Sequence, residues 1–222
     1  VAWGIGRPLV LSRNRNAFFI AIVLALGAAS IVFLVYPRPA LGLGLDVVLL
    51  VMTVVAGRVI PGFTNNAIPG AGARRVQWIE YGAVGSVLFL LLFDLANLEK
   101  AAAVAALGAA ALHAARLVLW APWKTRSRPI LWVLHLSYAW IVVHLALRGL
   151  AAFDLAPASL ATHALTVGAI GGLTLGMMTR TARGHTARPL TSGRAEVAAY
   201  VLVQLAAAVR VFLPLLLPSA YM

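Results

Sequence analysis

The chain has 222 residues, of which 62% are hydrophobic and only 11% charged, with a mean hydropathy of +0.94. A soluble globular domain carries charge on roughly a quarter of its residues, so this composition excludes one. The net charge of +12 then belongs to Arg-rich loops at a membrane surface rather than to nucleic-acid binding, and the absence of cysteine excludes disulfides, iron–sulfur clusters and thiolate-bound haem or copper.

The apolar residues come in runs of about 20, the length that crosses a hydrocarbon core roughly 30 Å thick. A spanning element must satisfy its own backbone polar groups, which leaves helices or a closed barrel. The runs are too long for barrel strands and do not alternate. The predicted fold is therefore all-α, a polytopic transmembrane bundle of about seven spans forming one domain over residues 1–222.

In chain order, the first span runs from Ala17 to Tyr36, with Asn16 as its cap and Tyr36-Pro37 closing it. The second covers Ala40 to Ile60 and stops at Pro61. Trp78 to Leu98 and Ala101 to Trp120 form the third and fourth, an antiparallel hairpin joined by the short link Asn97 to Lys100. The fifth is Ile130 to Gly149, and the sixth is Ser159 to Thr179, with Ser159 as a cap after Pro157. The seventh is Ala195 to Leu217. Two stretches read as long loops, Arg58 to Arg75 and Arg180 to Leu190.

Basic residues alternate between the two sides. Arg7, Arg13 and Arg15, then Arg58, Arg74 and Arg75, then Arg116, Lys124, Arg126 and Arg128, then Arg180, Arg183, Arg188 and Arg194 fall on one side. The positive-inside rule puts that side, and Val1, in the cytoplasm of a bacterial inner membrane. The chain begins at Val1 without the features of a signal peptide and reads as a portion of a longer chain.

The histidines are the most informative residues. His113, His135, His144 and His163 fall inside spans and His185 in a loop. Ionisable groups inside a membrane are costly and usually face the bundle interior. At 1.5 Å per residue, His113 and His135 lie about 8–10 Å from the cytoplasmic end, and His144 and His163 about 6–8 Å from the outer end. The chain thus offers two height-matched pairs, the geometry that bis-His haem or a His-based copper site needs. His135 and His144 are nine residues apart, about 180° around a helix, so the two pairs should not share one pocket. Arg116 and Arg148 each lie on the face of a histidine one turn away. The ordinary alternative is that a membrane histidine hydrogen-bonds a neighbouring helix. Asp46 and Asp94 read as interfacial carboxylates, Glu80 as the partner of a loop arginine, and Met177 and Met178 as packing residues that could also be soft copper ligands. Arg180, Arg183, His185 and Arg188 form a dense basic patch suited to anionic lipid or another anion. No nucleophile–base–acid set and no Walker motif is visible, and whether the chain turns over a substrate stays open from the residues.

Several segments resemble the NnrS family of bacterial membrane proteins: Gly57-Arg-Val-Ile-Pro-Gly-Phe-Thr-Asn-Asn-Ala67, His113-Ala-Ala-Arg116 followed by Trp120, Leu134-His-Leu-Ser-Tyr138, His163-Ala-Leu-Thr-Val-Gly-Ala-Ile-Gly171, Met178-Thr-Arg180 and Gly184-His-Thr-Ala-Arg-Pro-Leu190. The resemblance implies a protein binding haem and copper that protects against nitric oxide and nitrosative stress. It marks His113, His135, His163, His185, Arg58, Arg116, Arg180 and Arg188 as the residues in family motifs, the haem-directed set among them being His113, His135, His163, Arg116, Arg180, His185 and Arg188. His144 lies outside the motifs. Family members are longer, with about twelve spans and an N-terminal Trp-His-x-His-Glu-Met type motif absent here, so the chain resembles their C-terminal portion. Two other readings remain open from the residues: an electron-carrying or proton-relaying subunit of a respiratory complex, and a cofactor-free transporter.

Overall fold

The computed structural model describes residues 18–217. They form seven long helices: α1 (Phe18–Phe33), α2 (Pro37–Ala67), α3 (Gln77–Leu95), α4 (Glu99–Leu119), α5 (Pro129–Ala151), α6 (Ala158–His185) and α7 (Arg194–Leu216). A 3-10 turn, Pro122–Thr125, joins α4 to α5. No strand occurs among the described residues. Helices α2 to α7 are each long and apolar enough to cross a membrane, and α1 is apolar but shorter. The predicted helical membrane bundle is the fold observed.

Helix α5 is the centre. It packs on α2, α4, α6 and α7, while α1 rests on α2 and α3 links α2 to α4. Its buried residues run round the whole helix, from Ile130 and His135 through Tyr138 and Trp140 to His144 and Gly149. Small residues let its neighbours approach closely. Helix α4 presents Ala102, Ala103, Ala106, Ala109 and Ala110. A Cβ added at Gly149 would lie 3.0 Å from the Ala103 carbonyl oxygen. On α6 the stripe Gly168, Gly172 and Gly176 does the same: their added Cβ atoms would meet Trp140, Ser137 and Leu134 of α5 at 2.3, 2.1 and 2.8 Å. Next to this stripe Trp140 Nε1 donates to Gln204 Oε1 (2.7 Å), and Gln204 Nε2 donates to Ser137 Oγ (2.8 Å), tying α7 to α5.

Three predicted boundaries are corrected. Pro61 does not stop the second span: α2 continues to Ala67 with Pro61 inside it. Pro61 has no N–H for the Gly57 carbonyl, but Ile60 and Thr64 on either side are buried, and that packing carries the helix through. The Arg58–Arg75 loop therefore shrinks to residues 68–76. The sixth span does not end at Thr179 but runs to His185, because Arg180, Arg183 and His185 at a helix C-terminus complement its dipole rather than break it. Within α6, residues Ala164–Gly171 are π-helical, a local widening that the sequence pattern did not announce. Ser159 is not a cap: Pro157 occupies that position and Ser159 lies in the first turn. The hairpin of α3 and α4 is as predicted, with Asn97 turning through φ 54°. Asn16, Arg7, Arg13 and Arg15 lie outside the described residues.

Candidate functional site

A cluster of polar side chains is buried between α2, α3, α4 and α5. Arg116, only 2% exposed, is held on every side. Its Nε and one Nη donate to the two oxygens of Glu80 on α3, and the other Nη donates to the Thr53 carbonyl (2.9 Å) and to the Tyr138 hydroxyl (3.0 Å). The guanidinium also sits 5.1 Å from the Trp120 ring centroid. Gly57 makes room for it, since a Cβ there would lie 1.6 Å from a guanidinium nitrogen. Glu80, expected to pair with a loop arginine, takes Arg116 as its close partner, with Arg75 at 3.8 Å. A charge left alone in such a place is far more costly than a paired one, which is why the four helices converge on this point.

The hydrogen bonds here have one consistent direction. His113 Nε2 lies 3.2 Å from the Ala83 carbonyl, which can only accept, so Nε2 carries the proton and Nδ1 carries the lone pair. Tyr138 donates to that Nδ1 at 2.7 Å and accepts from Arg116. Both nitrogens of His113 are spent within the protein.

His135 differs. Its Nδ1 lies 3.1 Å from the Leu131 carbonyl, and the Trp120 carbonyl is also within reach of the ring. Its Nε2 is 3.4 Å from Thr64 Oγ1, whose one proton goes to the Ile60 carbonyl at 2.9 Å. The ring is surrounded by acceptors. Whichever nitrogen holds the proton, the other keeps a lone pair that no close donor takes.

His144, at the opposite end of α5, donates from Nδ1 to the Ala161 carbonyl (2.8 Å), and its buried Nε2 has no partner among the described residues. It lies on the wall of a cavity of about 370 Å³ with Asp46, Asp94, Glu99 and Arg148. Arg148 bridges Asp46 of α2 and Asp94 of α3. The two aspartates are thus held in an ion-pair bridge rather than left to interfacial water.

No hydrogen bond links the members of either expected pair among the described residues. His113 and His135 share no hydrogen bond, the first facing α3 and the second α2. His163 is half-buried and does not line the cavity beside His144. His185 and Arg188 are exposed near the end of α6, and Arg180 stacks on Phe63, 3.6 Å from the ring centroid. Among the described residues no three His, Asp or Glu side chains are grouped to hold a metal ion. Sequence reasoning missed Tyr138 as the link between His113 and Arg116, although its place three residues after His135 put it on the same stretch of α5.

The NnrS protein family model matches residues 1–222. The chain belongs to the NnrS family. No curated protein and no solved structure matches it. The family is known for binding haem and copper, and the donors present decide how far each fits. Among the described residues no three His, Asp or Glu side chains form a group for copper, and any copper site among them would need methionine or fewer ligands. A haem iron needs one imidazole with an open lone pair, and His135 and His144 provide such rings. His135 lies in the half of the molecule that ends in the arginine-rich loops. The wall beside His144 carries three carboxylates against one guanidinium.

Proposed function

We propose that this NnrS-family chain is a haem-binding transmembrane helical domain that acts in the response to nitric oxide and nitrosative stress, in a bacterial inner membrane with its basic end in the cytoplasm. The observation that carries the reading is the buried His135 ring, encircled by carbonyl acceptors and left with one lone pair to give. Carbonyls that orient an imidazole and fix its tautomer are the usual second support of a metal-ligating histidine.

Haem held there on His135 would supply an iron able to take up a diatomic ligand. The chain's own residues do the rest. The Leu131 and Trp120 carbonyls orient His135. The Glu80–Arg116–Tyr138–His113 assembly locks α3, α4 and α5 around it. Trp120, Leu134 and Tyr138 are buried in the same part of the bundle. Arginines at the basic end would balance the carboxylates of a haem held there.

The reading expects a Soret band and one haem per chain in the purified protein, and loss of growth under a nitric oxide donor when the gene is deleted. A chain purified from haem-replete cells without a Soret band contradicts the cofactor; growth unaffected by the donor contradicts the role. Two reducible haems per chain would favour the electron-carrier reading instead.

A further inference from the structure

A groove on the membrane-facing side of the bundle runs between α2 and α6, with Leu134 of α5 at its floor. Its walls are Met52, Val55, Val59, Met177 and Met178 with their apolar neighbours, and its volume is about 280 Å³. Thr174 is its one polar residue. Met178 is 65% exposed, so the groove opens outward to acyl chains. Both helices run in the same direction, and one turn beyond the groove on each stand Phe63 and Arg180, stacked together at 3.6 Å.

Among the described residues Arg180 has no carboxylate partner. One of its Nη atoms is buried and has no hydrogen-bond partner among the described residues. No carboxylate acts on it, whereas nearby Arg183 is taken by Glu196. A guanidinium lying on an aromatic ring keeps its N–H edge free, and that edge matches the oxygens of a phosphate. An apolar slot ending in an arginine that has no carboxylate partner among the described residues is complementary to an anion-headed amphiphile with its chain along the groove.

We propose that the α2–α6 groove is a specific site for an anionic phospholipid, its acyl chain against Met52, Val55, Val59 and Met178 and its phosphate on Arg180. The proposal is independent of the haem reading, which rests on the interior face of α5. The bound lipid staples α6 to α2 at the point where Pro61 forfeits a helix bond and α6 leaves the core, and so supports the basic end of the bundle.

The test uses the full-length protein purified in detergent and titrated with phosphatidylglycerol or phosphatidylcholine, reading melting temperature and lipid retention by native mass spectrometry. The wild type retains phosphatidylglycerol about fivefold more strongly than phosphatidylcholine, the preference one arginine gives at a membrane surface, and melts higher with it. Arg180→Gln abolishes that preference and leaves phosphatidylcholine retention unchanged. Val55→Trp, which fills the groove and spares the arginine, lowers retention of both lipids. Equal retention of the two lipids by the wild type, or an undiminished preference in Arg180→Gln, overturns the proposal. So does an Arg180→Gln variant that loses haem but keeps the lipid preference, since Arg180 would then serve a haem carboxylate.

Discussion

Glu80 and Arg116 show how a charge survives inside a bundle of this kind. Each N–H edge of Arg116 has an acceptor, and both Glu80 oxygens have a donor. Removing one partner strands the other, which typically costs about 3–5 kcal/mol. Glu80→Gln should therefore lower unfolding stability in detergent by about that amount, while Glu80→Leu combined with Arg116→Met should cost clearly less; denaturation curves of the three proteins check it. Tyr138→Phe removes one donor and one acceptor from the same assembly and should cost about 1–3 kcal/mol, with the haem content unchanged. The histidines were legible as buried polar residues, because nothing else explains imidazoles in apolar runs. Their partners were not. Height along a helix follows from counting residues, but which face meets which neighbour depends on packing, and that turned His113 toward Ala83 and Tyr138 rather than toward His135.

At the scale of elements, the close contact of α6 with α5 rests on Gly168, Gly172 and Gly176. A methyl group at 172 would lie 2.1 Å from Ser137 Oγ and 2.7 Å from Gln204 Nε2. Gly172→Ala should cost at least the roughly 1–3 kcal/mol of an overpacked core and loosen the Trp140–Gln204 bond, visible as a shift in tryptophan fluorescence. Gly184→Ala, with nothing within 4 Å, should be neutral or slightly stabilising. The four-residue glycine spacing was in the sequence and is a known sign of close helix contact. The π-helical stretch was not, because it arises from the fit of α6 against two neighbours at once. Spans three, four, five and seven were legible to within three residues. Spans two and six were read short, since Pro61 and Arg180 were given the meanings they have in isolated helices.

For the whole molecule, the two ends differ in chemistry. One gathers Arg74, Arg75, Arg126, Arg128, Arg183 and Arg188. The other holds Asp46 and Asp94 around Arg148 and opens into the cavity beside His144. This asymmetry was visible in the sequence as alternating loop charge, and it underlies the proposed orientation. The chain has no cysteine, so single introduced cysteines report sidedness cleanly. Thr186→Cys should resist a membrane-impermeant maleimide in intact cells and Asp154→Cys should react; the reverse pattern inverts the topology. The same asymmetry separates the two histidines that retain a lone pair. His144 faces carboxylates and a cavity, while His135 lies in the half that ends in arginines, and the proposed reading places the iron on the second.

The most direct measurement is the haem content of purified His135→Ala beside His113→Ala, read as Soret absorbance per mole of folded protein. The account predicts that His135→Ala loses the band while His113→Ala, though less stable, keeps it. A His135→Ala protein with a full Soret band, or a His113→Ala protein that folds without one, contradicts it.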